Sequence, residues 1–213
     1  MKENPFDLFT EYYENWFVKN AIVFETELLA LQQLVPVKGE GLEVGIGTGI
    51  FAEKLGINTG VDPSEKMLAY AKRRKLNVVK ARAEDLPYAN NRFDYVVFIT
   101  SICFVEDVEK ALKEAYRVLK ENGYIIIAFI DKGSRYGKIL EKRKTKSRFY
   151  SIATFYSTDE IITKVKAANF EVMTIIQTLI QQNPLKVETP ADGYGEGSFV
   201  VIKAKRQCRN EQG

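Results

Sequence analysis

The sequence contains no histidine and only two cysteines among its 213 residues. Histidine is the commonest metal ligand and the commonest general base, so its absence removes the usual residue for both roles. Cys103 and Cys208 lie far apart in the chain and neither belongs to a C-x-x-C pair, which argues against a disulfide scaffold and against a zinc site. We therefore expect no metal, and any catalysis has to proceed without imidazole.

Long apolar runs are also missing. None approaches the roughly 18 residues that a membrane-spanning helix needs, and the stretch MKENPFDLFTEYYENW lacks the basic and then apolar layout of a signal peptide. We expect a cytoplasmic protein with no membrane span. The net charge of +3 is too small to indicate a nucleic-acid partner by itself. The length favours a single domain.

Short apolar runs rich in branched residues alternate with helical patterns as far as Asp131. The runs predict buried strands at Gly41 to Val44, up to Val61, at Asn77 to Lys80, at Tyr95 to Ile99 and at Tyr124 to Phe129. The intervening patterns predict helices at Ile50 to Leu55, Ser64 to Arg74 and Val108 to Leu119. This order predicts an α/β, doubly wound, mostly parallel Rossmann-like sheet with helices on both faces.

The pattern changes beyond Asp131. A basic and aromatic segment reaches Tyr156, and a helix follows in which Ser157 and Glu160 have capping-box spacing. The runs FEVMTIIQTLI and GSFVVIKAKR predict two more strands, which would close the sheet as an antiparallel C-terminal edge. The predicted sheet therefore has seven strands.

Three glycines at alternate positions, Gly45, Gly47 and Gly49, follow the first predicted strand. In a doubly wound sheet, ligands bind beyond the carboxyl ends of the strands, where the strand order reverses. A dinucleotide fingerprint would place its third glycine at position 50, which is Ile50 here. Glu43 adds a carboxylate that would repel a pyrophosphate. The loop therefore predicts a ligand other than a dinucleotide.

Asp62 ends the second predicted strand, where acidic residues accept hydrogen bonds from ribose hydroxyls. Together with Glu43 it favours a nucleoside without phosphates. Two simpler interpretations exist, because the glycines could form only a tight turn and Asp62 could be only a helix N-cap before Pro63.

From about Gly41 to Ile130 the sequence resembles the class I S-adenosylmethionine-dependent methyltransferases, within the group that includes ubiquinone-biosynthesis and many small-molecule methyltransferases. The resemblance rests on several motifs in order, namely EVGIGTG, VDPSEKML, ARAEDLPYANNRFDYVVF and VEDVEKALKEAYRVLKENGYIII. It implies S-adenosylmethionine as the cofactor, S-adenosylhomocysteine as the product, and no metal.

The resemblance also implies the residues of the site. The cofactor would contact Glu43, Gly45, Gly47, Gly49, Asp62, Pro63, Met67, Ala83, Glu84 and Thr100. Within this set the glycines would line the methionine part, Asp62 would hold the ribose, and Pro63 and Met67 would flank the adenine. Ala83 and Glu84 would meet the adenine edge, with Thr100 under the reacting end. The acceptor is assigned to Tyr13, Trp16, Phe104 and Tyr136.

Four parts of one methyltransferase domain follow from these assignments. They are an N-terminal helical lid (1–36), a cofactor-binding core (37–130), a basic variable insertion on the acceptor side (131–157), and a C-terminal helix with strands (158–205). The N-terminal aromatic residues could instead be a helix face that packs on the domain. We expect the basic stretch 132–150 to be a solvated, mobile surface rather than a contact for RNA or an anionic substrate.

Some positions depart from the family pattern. Arg82 stands where many members have an aspartate, Cys103 and Phe104 replace a pair that is often histidine, and Glu121-Asn122 replaces a Pro-Gly. No catalytic residue is therefore assigned. Glu106, Tyr13 and Tyr136 are the candidates if a base is needed, and Cys103 is expected to be a small buried residue rather than a nucleophile.

We expect methyl transfer from S-adenosylmethionine to a small-molecule acceptor, which the residues do not specify further; they do not define an oligomeric state either. Three alternatives remain. The acceptor could be RNA or protein engaged by residues 132–150, the chain could bind S-adenosylmethionine without turnover, or it could be a dehydrogenase, against which the glycine spacing argues.

Overall fold

The computed structural model describes residues 4–181 and 184–208, so the first three residues of the expected lid lie outside the described residues. Its helices are α1 (Pro5–Leu8), α2 (Thr10–Lys19), α3 (Ala21–Leu34), α4 (Ile50–Leu55), α5 (Glu65–Arg73), α6 (Val108–Val118), α7 (Arg135–Arg143) and α8 (Thr158–Ala167). Its strands are β1 (Gly41–Val44), β2 (Thr59–Asp62), β3 (Asn77–Lys80), β4 (Phe93–Ile99), β5 (Leu119–Ile130), β6 (Phe170–Thr178), β7 (Ala191–Asp192) and β8 (Phe199–Arg206).

All of these strands join one sheet in the order β3-β2-β1-β4-β5-β8-β6-β7. Strands β1 to β5 pair in parallel, whereas β8, β6 and β7 pair antiparallel at the C-terminal edge. The predicted doubly wound fold with an antiparallel edge is confirmed. The predicted number of strands was wrong, because the sheet has eight. The additional strand, β7, has two residues and is too short to show a periodic pattern.

Both faces of the sheet are covered, as the continuous apolar strands predict. Along β4, Val96 and Phe98 join a core under α6 and α8, while Val97 and Ile99 join a second core under α2 to α5. Strand β1 pairs with β2 on one side and with β4 on the other, so the chain order reverses at β1. The carboxyl ends of these three strands therefore form the edge at which a ligand is expected.

Residues 132–150 combine an anchored helix with mostly exposed charged side chains, so the solvated surface is observed while its mobility stays a prediction. Helix α7 begins after Ser134, whose hydroxyl accepts a hydrogen bond from the Gly137 amide at 2.9 Å. Asp131 anchors the segment, because its Oδ1 accepts hydrogen bonds from the amides of Gly133 at 2.8 Å and Thr158 at 3.2 Å. A Cβ atom at Gly137 would lie 2.0 Å from the carbonyl oxygen of Asp131. The helix is therefore pressed against the end of β5.

Replacing Gly137 with alanine should lower the free energy of unfolding by about 1 to 3 kcal/mol, because backbone has to move to admit the methyl group. Lys138→Ala is the matched control, since Lys138 is exposed on the same helix and should change the stability little. Denaturant unfolding of both variants measures the difference. Equal stability of the two variants would show that α7 is not held against Asp131.

Candidate active site

A cavity of about 890 Å³ opens at the carboxyl ends of β1, β2 and β4. Its walls come from the loops after these strands, from α1 to α3, and from the segment between Tyr136 and Ile152. Every predicted site residue except Glu43 and Gly49 lines it, namely Tyr13, Trp16, Gly45, Gly47, Asp62, Pro63, Met67, Ala83, Glu84, Thr100, Phe104 and Tyr136. The structure thus brings cofactor and acceptor candidates into one space.

The glycine loop is bonded internally. The amides of Gly45 and Ile46 both donate to the carbonyl oxygen of Val61, at 2.8 and 2.9 Å. The Gly47 amide donates to Oδ2 of Asp62 at 2.9 Å. A phosphate group needs free amides at such a loop, and these three are already used. The loop geometry therefore supports a ligand without phosphates.

Gly49 has a structural role instead of the cofactor contact that the resemblance implies. It lies outside the cavity lining and is the N-cap of α4, with a φ of +79°. A Cβ atom there would lie 2.3 Å from Cδ1 of Leu76 and 3.3 Å from Cβ of Ala71. The glycine is needed for its left-handed backbone and for close packing of α4 against α5.

Asp62 is positioned to accept further hydrogen bonds. Its Oδ1 accepts the Ser64 amide at 2.8 Å and its side chain is buried. Burial raises the pKa of Asp62 to about 6, although the two backbone hydrogen bonds oppose the shift. The carboxylate is thus ionised at neutral pH and keeps free lone pairs. The N-cap of α5 is Ser64, whose hydroxyl accepts the Met67 amide, so Asp62 is not simply a helix cap.

Glu43 lies beside Asp62 in the interior and is 2% exposed. Its Oε2 atom has no hydrogen-bond partner among the described residues. Burial and then the charge of Asp62 raise the pKa of Glu43 well above its usual range. A buried carboxyl oxygen without a partner is costly, so this position favours a positively charged neighbour.

Thr100 marks the end of β4 within the cavity. Its φ is +51°, a left-handed conformation that residues with a side chain seldom adopt. Such backbone strain persists where surrounding structure over-determines it, and it is concentrated at functional sites. Here the Thr100 amide donates to the carbonyl oxygen of Ala128 at 2.8 Å, which holds the turn against β5.

The expected adenine edge carries an ion-pair network. Arg82 contacts Glu106 at 2.8 Å and Glu84 at 3.4 Å. Oε1 of Glu84 also accepts the amides of Glu106 and Asp107 at 3.0 and 3.2 Å. The side chain of Glu106 is 79% exposed, and its carboxylate is occupied by Arg82. Glu106 is therefore badly placed to serve as a base inside the cavity.

Aromatic rings close the cavity from two directions. Phe6 stacks on Phe149 with centroids 5.1 Å apart, and it meets Phe104 edge-on at 4.9 Å and Tyr13 edge-on at 6.3 Å. Tyr13 meets Phe149 edge-on at 5.9 Å. Arg148 covers the ring of Tyr12 at 4.3 Å. The N-terminal helices and the end of the basic segment thus form one roof, which we call the aromatic roof (Phe6, Tyr12, Tyr13, Phe104, Phe149). Sequence analysis missed Phe6 and Phe149, and the only signal was the interleaving of aromatic with basic residues.

Two other predicted residues, Tyr136 and Cys103, have surroundings that raise the pKa of their side chains. Tyr136 lies at the rim, and burial with the nearby charge of Glu27 raises its pKa. Cys103 is buried, its thiol donates to the carbonyl oxygen of Thr100 at 3.5 Å, and burial raises its pKa to about 12. A thiol that stays protonated is a poor nucleophile, in agreement with the expectation for Cys103.

Glu27, on α3, is a cavity residue that sequence analysis missed. It is 5% exposed and lines the cavity. Within residues 4–181 and 184–208 no hydrogen bond or ion pair reaches its carboxyl group, and burial raises its pKa to about 8. The available signal was its spacing, because Glu27, Ala30, Leu31 and Leu34 share the buried face of α3. A charged residue within an apolar stripe is an exception that calls for an explanation.

In the part of the chain that the structure describes, no group of three or more Cys, Asp or Glu residues could hold a metal ion. Over the same residues, no helix combines the length and the apolar character needed to cross a membrane.

Comparisons with known proteins agree with this geometry. Residues 42–127 match the family described as "Methyltransferase domain". A similar crystal structure is that of a SAM-dependent methyltransferase, possible histamine N-methyltransferase, from Thermotoga maritima. Its sequence is 43% identical to this one, and the two structures superpose with a TM-score of 0.92. The match covers 95% of this chain and 99% of that chain. The chain belongs to the class I S-adenosylmethionine-dependent methyltransferases.

Two further relatives are similar to this methyltransferase over most of its length. An uncharacterized protein of Methanocaldococcus jannaschii is 42% identical, with 95% of this chain and 99% of that protein covered. The ubiquinone/menaquinone biosynthesis C-methyltransferase UbiE of Rickettsia typhi is 30% identical, with 78% and 72% covered. The resemblance to the ubiquinone-biosynthesis group is thereby confirmed. The enzyme uses S-adenosylmethionine, and the relatives from Thermotoga maritima and Rickettsia typhi are both described as methyltransferases.

Glu27 should make the stability of the methyltransferase depend on pH. Its folded-state pKa of about 8 lies above the ordinary 4.5, so the unfolded chain ionises first as the pH rises. Stability therefore falls between these two values, by an amount on the order of a few kcal/mol. Glu27→Gln removes this loss and should stabilise the protein more at pH about 9 than at pH about 5.

Thermal unfolding of both proteins across this pH range measures the difference. Glu25→Gln is the control, because Glu25 is exposed on the same helix, and its curve should run parallel to that of the unchanged protein. Parallel curves for Glu27→Gln as well would contradict the burial of an unpartnered carboxyl group.

Proposed function

We propose that this enzyme transfers the methyl group of S-adenosylmethionine to a small-molecule acceptor that shares the cavity with the cofactor. The supporting observation is the aromatic roof, which closes a space of about 890 Å³. Pockets for small ligands typically have volumes of about 300 to 1,000 Å³. A roofed space of this size suits a cofactor with a compact second ligand better than a polymer.

The residues at the strand ends fit this cofactor. Asp62 would accept hydrogen bonds from the ribose hydroxyls, because its carboxylate is fixed by the Gly47 and Ser64 amides. Pro63 and Met67 line the wall beside it, where adenine would lie. Glu43 lies beneath the loop and outside the cavity lining, so we assign it no direct contact with the cofactor. When bound, S-adenosylmethionine supplies an electrophilic methyl group on a sulfonium centre.

The protein itself contributes alignment and the exclusion of water. Holding two reactants in line can lower a barrier by roughly 7 to 11 kcal/mol in favourable cases, and the chemical reactivity belongs to the cofactor. Tyr13 is a poor base, because burial and the charges of Glu43, Asp62, Glu27 and Glu14 all raise its pKa. We therefore assign catalysis to positioning, with no base on the roof.

The parts of the chain then have distinct roles. Residues 1–36 serve as the lid, 37–130 hold the cofactor, 131–157 form the acceptor-side wall, and 158–205 complete the sheet. The basic segment makes contacts within the protein, since Arg148 covers Tyr12 and Lys144 contacts Glu141 at 3.4 Å. This favours a small-molecule acceptor over RNA or protein. We expect the enzyme to act in the cytoplasm.

Asp62→Ala should weaken the binding of S-adenosylhomocysteine by about ten- to a hundredfold, because hydrogen bonds to a charged group contribute about 1.5 to 3 kcal/mol. Calorimetric titration measures the affinity. Asp85→Ala is the control, since Asp85 is an exposed carboxylate on a nearby loop, and it should bind normally. A nicotinamide dinucleotide should not bind to any of these proteins.

The cofactor assignment would be refuted if S-adenosylhomocysteine failed to bind after copurified ligand had been excluded by mass spectrometry. Unchanged affinity in Asp62→Ala would instead refute only the role of this residue.

Phe149→Ala should release S-adenosylhomocysteine several-fold faster, because Phe149 joins the two halves of the aromatic roof. Trp16 is the only tryptophan and lines the cavity, so its fluorescence reports on dissociation in stopped flow. Met173→Ala is the control, since Met173 is exposed on β6. An unchanged rate would mean that the roof does not retain the ligand.

A further inference from the structure

The carboxyl groups that line the cavity belong to Glu27, Asp62, Glu84 and Glu106. Asp62 ends β2 beside the glycine loop, and Glu84 and Glu106 pair with Arg82 at the expected adenine edge. Glu27 comes from α3. The cofactor assignment accounts for Asp62 and Glu84, Glu106 is paired at the rim, and Glu27 is left without a role.

Three tyrosines line the same cavity as Glu27. They are Tyr13 on α2, Tyr136 on α7 and Tyr150 in the second 3-10 turn after α7 (Tyr150–Ile152). Burial raises the pKa of the Tyr136 and Tyr150 hydroxyl groups, and the negative charge of Glu27 contributes to the increase. The tyrosine rings and the carboxyl group therefore face one ligand space.

No positive charge in the described residues reaches this space. Arg82, Lys146 and Arg148 line the cavity but are exposed at its rim, and Arg82 is paired with Glu84 and Glu106. On the β6 and β8 side the lining residues include the uncharged Leu179 and Ser198. The nearby Glu188 has its carboxylate bonded to the amides of Ile180 and Gln181, at 2.9 and 3.1 Å.

A buried carboxyl group without a partner costs free energy, and the cost is removed when a ligand supplies hydrogen-bond donors. An ammonium group supplies several donors and a positive charge, which is also attracted to the faces of tyrosine rings. An acid brings no positive charge to the site, and an alcohol offers only one donor. Of these classes, an amine satisfies the site most completely.

We infer that Glu27 binds the amino group of the acceptor, so that this enzyme methylates a compact basic amine. Before the transfer the bound ammonium group gives one proton to the Glu27 carboxylate. The lone pair of the neutral nitrogen then forms the N–C bond as the C–S bond of S-adenosylmethionine breaks and S-adenosylhomocysteine leaves. The identity of the reaction rests on the proposed function, but the binding of an amine at Glu27 does not. Since the pKa of Glu27 is about 8 in the free protein, its carboxyl group is mostly protonated at neutral pH. Binding of an ammonium group should therefore release a proton from Glu27.

Calorimetry with matched probes tests this inference. The probes are 2-phenylethylamine and n-butylamine, each compared with the alcohol of the same shape, 2-phenylethanol or 1-butanol. Each is titrated into the protein with and without S-adenosylhomocysteine. At least one amine should bind about tenfold or more tightly than its alcohol, which corresponds to about 1.4 kcal/mol. Titrations in buffers of different ionisation enthalpy should show release of about one proton per bound amine.

Glu27→Gln keeps the size of the side chain and should lose both the preference for the amine and the proton release. It should bind S-adenosylhomocysteine and the alcohols as the unchanged protein does. Glu27→Asp keeps the charge and should retain part of the preference, which shows that a folded site is being measured. Glu25→Gln, on the exposed side of α3, should behave as the unchanged protein.

Three results would overturn the inference. They are amines that bind no better than their alcohols, an amine preference that survives in Glu27→Gln, or a loss of S-adenosylhomocysteine affinity in Glu27→Gln as large as the loss for the amine. Failure of the unchanged protein to bind S-adenosylhomocysteine would instead contradict the proposed function. The titrations without S-adenosylhomocysteine would still decide the role of Glu27.

Discussion

The hydrogen bonds between the glycine loop and the end of β2 determine what this site can bind. Val61 receives two loop amides and Asp62 receives a third, so the loop and the strand form one rigid unit. Because these amides are used inside the protein, the loop cannot present them to a phosphate. Because one acceptor is a carboxylate, the same bonds fix the Asp62 side chain, which we propose accepts the ribose hydroxyls. The same contacts thus disfavour ligands with phosphate groups and favour ligands with hydroxyl groups.

The site and its surroundings contain several carboxyl groups in the protein interior. Burial raises the pKa of Asp62, Glu43 and Glu27 alike, which means that folding without ligand works against their charged forms. A cavity with buried acids and no buried base among the described residues favours ligands that bring positive charge. S-adenosylmethionine is such a ligand, and its sulfonium centre also suits the aromatic walls. A cofactor with a positive charge is thus matched to a cavity whose buried titratable groups are acids.

Much of the fold could be predicted from the sequence, because parallel strands that are buried on both faces leave short, continuous apolar runs between helical patterns. The same topology forces Gly45, Gly47 and Asp62 to one edge of the sheet. Gly49 shows the limit of this argument. A glycine with positive φ serves ligand contact or helix packing equally well, and only the position of Leu76 decides between them. Glu27 and Phe149 were missed for a related reason, since their roles depend on contacts between segments distant in the chain.

The family motifs and most of the aromatic roof come from different parts of the chain. This explains why family membership identifies the cofactor but not the acceptor. The family match covers residues 42–127, which include the glycine loop, Asp62 and the end of β4. The aromatic roof is built largely outside this range, from Phe6 and Tyr13 on one side and Phe149 on the other. Glu27 also lies outside it. The proposed acceptor-binding residues therefore lie in segments that the family match does not cover, so a distant relative such as UbiE is a guide to the class of reaction and not to the acceptor.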